Sequence, residues 1–242
     1  MKKQLLLLAL GASISFTSCR VNELRGEGAK GSNSPSVASF AYVDIDLPVK
    51  ADIVVQEGAQ TSVTFDGYKN VLEHVKVKVE GNKMRIYTDL DETWEIDCDE
   101  VVAHITVPSL AGLSLSGAPD ADIHGNIRGR EFNLDISGSS TVVIDNINVE
   151  QFKSDVSGAG EIRVKGGNVR VADYEISGAG KIVAFPLQTE QTSASISGAG
   201  KSEVSASHKL MASISGAGTV KYKGHPAVTK DVSGVGSVSD AN

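Results

Sequence analysis

Seven times between residues 112 and 242 the chain repeats one short phrase. The copies are Leu115-Ser116-Gly117, Ile136-Ser137-Gly138, Val156-Ser157-Gly158, Ile176-Ser177-Gly178, Ile196-Ser197-Gly198, Ile214-Ser215-Gly216 and Val232-Ser233-Gly234. The serines fall 21, 20, 20, 20, 18 and 18 residues apart. A fixed period near twenty, carrying an aliphatic residue and a glycine, marks a stacked solenoid in which each copy buries its apolar face against the next.

One copy predicts one rung. In Asn133-Leu134-Asp135-Ile136-Ser137, apolar and polar residues alternate as in a strand. After the turn a second strand follows, as in Glu161-Ile162-Arg163-Val164, and then a variable return such as Asp145-Asn146-Ile147-Asn148. Five residues after the serines stand Ala121, Val142, Ile162, Ile182, Ser202, Val220 and Val238. Seven after stand Ile123, Ile144, Val164, Ala184, Val204, Tyr222 and Asp240. Both columns are expected to face inward, and the residues between them outward. Rungs in one register, ~4.8 Å apart, give parallel sheets around a continuous core. The apolar columns decay at the last copy, which makes it the expected weak end and a place for two copies of the chain to pair.

Gly117, Gly138, Gly158, Gly178, Gly198, Gly216 and Gly234 hold the first turn position in every copy, as a bend with positive φ requires. The second position is Gly160, Gly180, Gly200, Gly218 or Gly236, but Pro119 and Ser140 in the first two copies. Proline cannot take positive φ, so this site asks for smallness or turn shape. The residue between is small in six copies, Ala118 to Ala217, and is expected to fill a narrow corner of the core. Calcium-binding nonapeptide rungs need an aspartate after the glycines, where this chain has Glu161, Lys181, Lys201 or Thr219.

Residues 37–110 are strand-rich but lack the phrase. Val43, Ile45, Leu47 and Val49 alternate with polar residues or proline, and so do Val75, Val77 and Val79. Gly81-Asn82 reads as a tight turn into Lys83–Ile86. This part is either irregular rungs of the solenoid or a small antiparallel cap; the repeats proper occupy 111–242.

The first residues carry an address. Lys2 and Lys3, the apolar stretch from Leu5 to Leu10, and small residues before Cys19 form a secretory signal over 1–18. Phe16-Thr17-Ser18-Cys19 resembles the bacterial lipobox, with Phe16 where an aliphatic residue is usual. Cys19 is therefore the expected lipidation site, and 19–36, rich in Gly and Ser, the expected flexible tether. Cleavage would remove two of 23 lysines and arginines and none of 30 acids, taking the formal charge from −7 to −9. That charge argues against nucleic acid as a partner. Cys98 is then the second and last cysteine, so no disulfide framework is expected.

Phe40 through Gly58, the segment Val75–Ile86 and the repeated Ile-Ser-Gly-Ala-Gly together resemble the head GIN domain family of auto-transporter adhesins, common among Bacteroidetes lipoproteins. The resemblance runs over about residues 38–240. It implies an all-β, right-handed parallel β-solenoid and an adhesin-like role in the envelope. The Gly-Ile-Asn that names the family is not intact here; Lys50-Ala51-Asp52 stands near its place.

Residue patterns that could carry chemistry are weak. Five histidines lack zinc-ligand spacing, and no metal or cofactor is expected. His104 and His124 lie twenty apart, a spacing that could set them one rung apart, but two unrelated surface or edge histidines are the preferred reading. Asp120, Asp122 and His124 share one strand face, with same-face residues ~6.5–7 Å apart, too far for one cation without a neighbouring rung. Seven acids crowd Asp89–Glu100, where Trp94, Ile96 and Cys98 alternate with carboxylates. That segment reads as a solvated edge strand with its apolar side buried, with calcium binding as the alternative. Asp135, Asp155 and Glu175 precede the aliphatic residue in three successive copies, as acids of a carbohydrate-active β-helix enzyme would. No long loop is present to build a cleft, and no nucleophile elbow or phosphate loop occurs. The expected function is a non-catalytic, lipid-anchored module of the cell envelope, attached to the outer membrane. Its partner would be a glycan or an envelope or cell-surface protein, with self-association also open. A polysaccharide lyase or hydrolase is the alternative.

Overall fold

The computed structural model describes residues 22–91, 93–98 and 100–242. The expected signal segment and the expected lipidation site, Cys19, lie outside these residues. The fold is a parallel β-solenoid of about six turns with ~20 residues per rung. The N-terminal part supplies β1 (Asn22–Leu24), β2 (Lys30–Asn33), β3 (Tyr42–Ile45), β4 (Lys50–Val55), β5 (Ser62–Tyr68), β6 (Val75–Glu80), β7 (Lys83–Thr88), β8 (Trp94–Ile96) and β9 (Val102–Val107). The repeats begin with β10 (Gly112–Gly117), β11 (Asp120–Gly138) and β12 (Thr141–Gly158) and continue to Ser237–Asp240. Among the described residues the sole helix is one turn, Lys69–Leu72.

Each full rung has three faces. The first holds the strand before the Ser-Gly turn, where Leu115 pairs with Ile136, Ile136 with Val156 and Val156 with Ile176. The second follows the turn, where Ala121 pairs with Val142, and Val142 with Ile162. The third, the variable return of the sequence, is a strand, pairing Ile127 with Ile147 and Val149 with Val169. The last two intervals omit a third-face strand, between Ser205 and Lys209 and between Lys223 and Ala227, and this accounts for their 18-residue spacing.

The inward columns match the sequence reading. Val142, Ile144, Ile162, Ile182, Val204 and Val220 are fully buried. Phe132 and Phe152 stack in the core with ring centroids 5.7 Å apart, and Tyr174 meets Phe152 edge-on at 5.7 Å. Burial drives the Tyr174 hydroxyl well above the ordinary phenol range. The core turns polar toward the C-terminal end, where the Thr189 and Thr192 hydroxyls both donate to the Ser205 carbonyl. In the final rung Val232 is 41% exposed, and Lys230 folds over the open end to donate to the Val238 carbonyl at 3.1 Å.

The turn resolves into two unlike glycine sites. Gly178 has φ +129°, and a Cβ there would lie 2.6 Å from the Gly158 carbonyl oxygen. Gly180 lacks positive φ, but a Cβ there would lie 2.6 Å from Val156 Cγ1. The second site is thus chosen for close approach to the branched aliphatic residue of the preceding rung. Ser140 fits because the preceding rung offers Leu115, which has no branch at Cβ. The small residue between the glycines does not fill the core, as expected from sequence. Ala159 and Ala179 are exposed, because their amides turn back to donate to Gly138 and Gly158 at 2.9 and 2.8 Å, which sends the side chain outward.

The N-terminal part is both irregular rungs and a cap, and it is threaded out of chain order. The strands β3 and β4 form a rung lying between β7–β9 on one side and β10–β11 on the other. Antiparallel β6 and β5 then close the end against β7 and β9. Gly81 makes the β6–β7 turn with φ +58°. Residues 22–36, expected as a tether, carry β1 and β2; β2 pairs antiparallel with β5, and β1 pairs with β8. The expected burial of the apolar side of β8 fails at Trp94, which is 41% exposed. The β9 strand takes the ladder position beside β4, so β8 packs in a separate two-stranded sheet.

Candidate functional site

A concavity lies on the outside of the first face. Strand alternation points every second residue there to solvent, and the common register stacks those residues into columns. One column runs Asp44, Ser114, Asp135, Asp155, Glu175, Ser195. Its neighbour runs Tyr42, Gly112, Asn133, Lys153, Asp173, Ser193. Together they line an open groove of about 570 Å³. The Tyr42 ring lies over Gly112, so close that a Cβ on Gly112 would be 2.6 Å from it, and its 40% exposure forms an aromatic wall.

The charges are arranged by rung. Lys83 pairs with Asp44 at 2.6 Å, and Lys153 with Glu131 at 3.3 Å. The Lys153 ammonium holds the Glu131 carboxyl below the usual carboxylate range. Asp135 is raised instead, first by burial and then by the negative charge of Asp155 on the next rung. The Ser114 hydroxyl, 3.5 Å away, and Lys83 oppose that rise only partly. The surface can therefore offer carboxylates, hydroxyls, an amide, ammonium groups and one aromatic ring at the spacing of the ladder.

Asp135, Asp155 and Glu175 are brought together as the sequence implied. The acidic segment is dispersed: Asp89 pairs with His74 and Lys76, Asp91 accepts from Thr93, and Glu100 pairs with Lys30. Cys98 is buried. His104 and His124 are two rungs apart, because the β4 rung is inserted between them, and both contact Asp52. Sequence reasoning missed Tyr42, Lys83 and Asp52 as site residues, since their partners come from segments distant in the chain. Among the described residues no group of three or more His, Cys, Asp or Glu side chains is placed to hold a metal ion, and no helix is long and apolar enough to cross a membrane.

A parallel solenoid with stacked polar columns and a shallow groove defines the class. The chain belongs to the family described as "Putative auto-transporter adhesin, head GIN domain", which matches residues 41–226. Solved structures share the fold. A "putative adhesin" of Bacteroides fragilis is 22% identical with a TM-score of 0.83, covering 90% of this chain and 100% of its own. A "putative adhesin" of Parabacteroides distasonis is 22% identical with a TM-score of 0.71, covering 91% and 100%. A "putative lipid binding protein" of the same species is 18% identical with a TM-score of 0.74, again covering 91% and 100%. No curated protein gives a significant match.

Proposed function

We propose that this protein is a non-catalytic binding module of the cell envelope, held to the outer membrane by lipid on Cys19, whose first-face groove takes a glycan. The observation that supports this is the Tyr42 ring at the end of ordered columns of Asp, Ser, Asn and Lys. An apolar ring face beside convergent hydroxyl and carboxylate groups suits a polyhydroxylated ligand, whose C–H face stacks and whose hydroxyls hydrogen-bond. Membership of an adhesin-described family agrees with a surface role.

The mature chain without lipid, probed on an array of bacterial and host glycans, is expected to bind a restricted set. Tyr42→Ala and Asp155→Asn are expected to weaken that binding at least tenfold with the fold intact. An array with no glycan bound, or binding unchanged in both variants, would overturn the groove as a glycan site. Cys19→Ala is expected to move the protein from the membrane to the soluble fraction; unchanged fractionation would overturn the anchor.

A second reading rests on Asp135. A carboxyl held above its usual range beside the carboxylate of Asp155 is the pairing a glycosidase uses for acid and nucleophile or base. Release of reducing ends or unsaturated sugars from a bound polysaccharide, abolished in Asp135→Asn, would replace the binding role with a catalytic one.

A further inference from the structure

The second face carries a line of alternating charge across five strands of the N-terminal part and the first repeats. His104 Nε2 lies 3.3 Å from Asp66 Oδ2, and its Nδ1 lies 3.3 Å from Asp52 Oδ2. His124 Nε2 lies 3.3 Å from Asp52 Oδ1, and its Nδ1 lies 3.3 Å from Asp145 Oδ2. Lys165 closes the line on Asp145 at 2.9 Å. Both nitrogens of both imidazoles therefore face carboxylate oxygens. A neutral imidazole has one N–H and one lone pair; only the imidazolium donates from both nitrogens. Asp52 Oδ1 is buried and makes no hydrogen bond, so a proton on His124 Nε2 is the donor it lacks.

The strands that meet here belong to the two halves of the molecule. Asp66 is on β5 and His104 on β9, Asp52 is on the inserted β4, His124 is on β11 and Asp145 on β12. We propose that this histidine–aspartate line is a proton-operated clasp that fastens the capping strands β5 and β9 and the inserted β4 onto the repeats. It tightens when the histidines are protonated and slackens when they are neutral.

The surroundings let the clasp work in one direction. On β4 and β11, Lys50 sits 3.4 Å from Asp122, which removes one competing carboxylate. Asp120 accepts from the Thr141 amide. On the strand beside β12, Arg163 and Glu161 pair with each other. On β2, Ser32 donates to Asp66. Lys165 holds the Asp145 carboxyl below the usual range, so an ionised carboxylate faces His124 Nδ1. A protonated imidazole donates to a carboxylate from each nitrogen and a neutral one from a single nitrogen, so the bonds across the strands are complete only in the protonated state. With both imidazoles about half exposed, screening by solvent and salt limits the effect.

Hydrogen exchange of the β5 and β9 amides at pH 5.5 and 8.0, corrected for intrinsic rates, reads the clasp directly. Opening of these strands is expected to rise about three- to tenfold at the higher pH in low salt, and less in 0.5 M salt. In H104Q/H124Q the opening is expected to match the high-pH wild type at both pH values. Ring ¹⁵N shifts of the wild type at pH 5.5 are expected to show both imidazoles protonated on both nitrogens, a readout independent of the variant's folding. Equal pH dependence in wild type and variant, or singly protonated rings at pH 5.5, would overturn the clasp. So would a stabilisation by Zn²⁺ at pH 8.0 that vanishes in the variant, which would make the line a metal site.

Discussion

The repeats and the N-terminal part build the same rung by different routes. In the repeats each strand lies beside the copy about twenty residues away, as Ser157 lies between Ser137 and Ser177. In the N-terminal part Asp52 pairs with His104 on one side and Asp122 on the other, across much longer stretches of chain. The repeats can therefore grow by short loop closures, whereas the inserted rung waits for segments on both sides. The comparison teaches that regular stacking needs a closed end. At the N-terminal side the antiparallel β5 and β6 cover β9 and β7, while the last rung leaves Val232 exposed.

The largest expected effect breaks the regular half. Gly178→Val places a Cβ 2.6 Å from a backbone oxygen at φ +129°, where neither the neighbour nor the residue can yield. A loss of about 4 kcal/mol in denaturant unfolding is expected. Gly180→Ala is expected to cost about 1–2 kcal/mol, since its Cβ meets the Val156 side chain first, at 2.6 Å, and the Gly160 carbonyl oxygen only at 3.2 Å. In a Val156→Ala background that cost is expected to shrink, and a double-mutant cycle with no coupling would refute the proposed contact.

The smallest effect tests the groove's electrostatics. The Asp135 carboxyl is raised by burial and by Asp155, so ionising it costs stability as pH rises through the carboxylate range. Asp135→Asn is therefore expected to be more stable than wild type by a few tenths of a kcal/mol at pH 7, with the gain gone at pH 3 and reduced by salt. Urea midpoints at the two pH values check the sign.

The stack was legible because period two and period twenty act on neighbouring copies. The burial of Val142, Ile162 and Ile182 follows from their place after the serine alone, and so does the positive φ of Gly178. The exposure of Ala159 was not legible. Residue size suggested a core corner, but the direction of its side chain is set by the hydrogen bond of its amide to Gly138. The groove was half legible. Asp135, Asp155 and Glu175 share a repeat position, whereas Tyr42 joins them only because β3 is laid beside β10. The link between His104 and His124 was hidden for the same reason, since no periodicity announces that β4 lies between them.

The most direct test of this account is amide exchange across the inserted rung. Having a paired strand on either side, Val43, Ile45 and Ile53 are expected to be as protected as Val156 and Ile176 in the middle of the repeats. They are expected to be far more protected than Val77 and Val79 on the terminal strand β6. If instead 42–55 exchanges as fast as 75–80, the rung lies at an edge of the stack, and the interleaved architecture is contradicted.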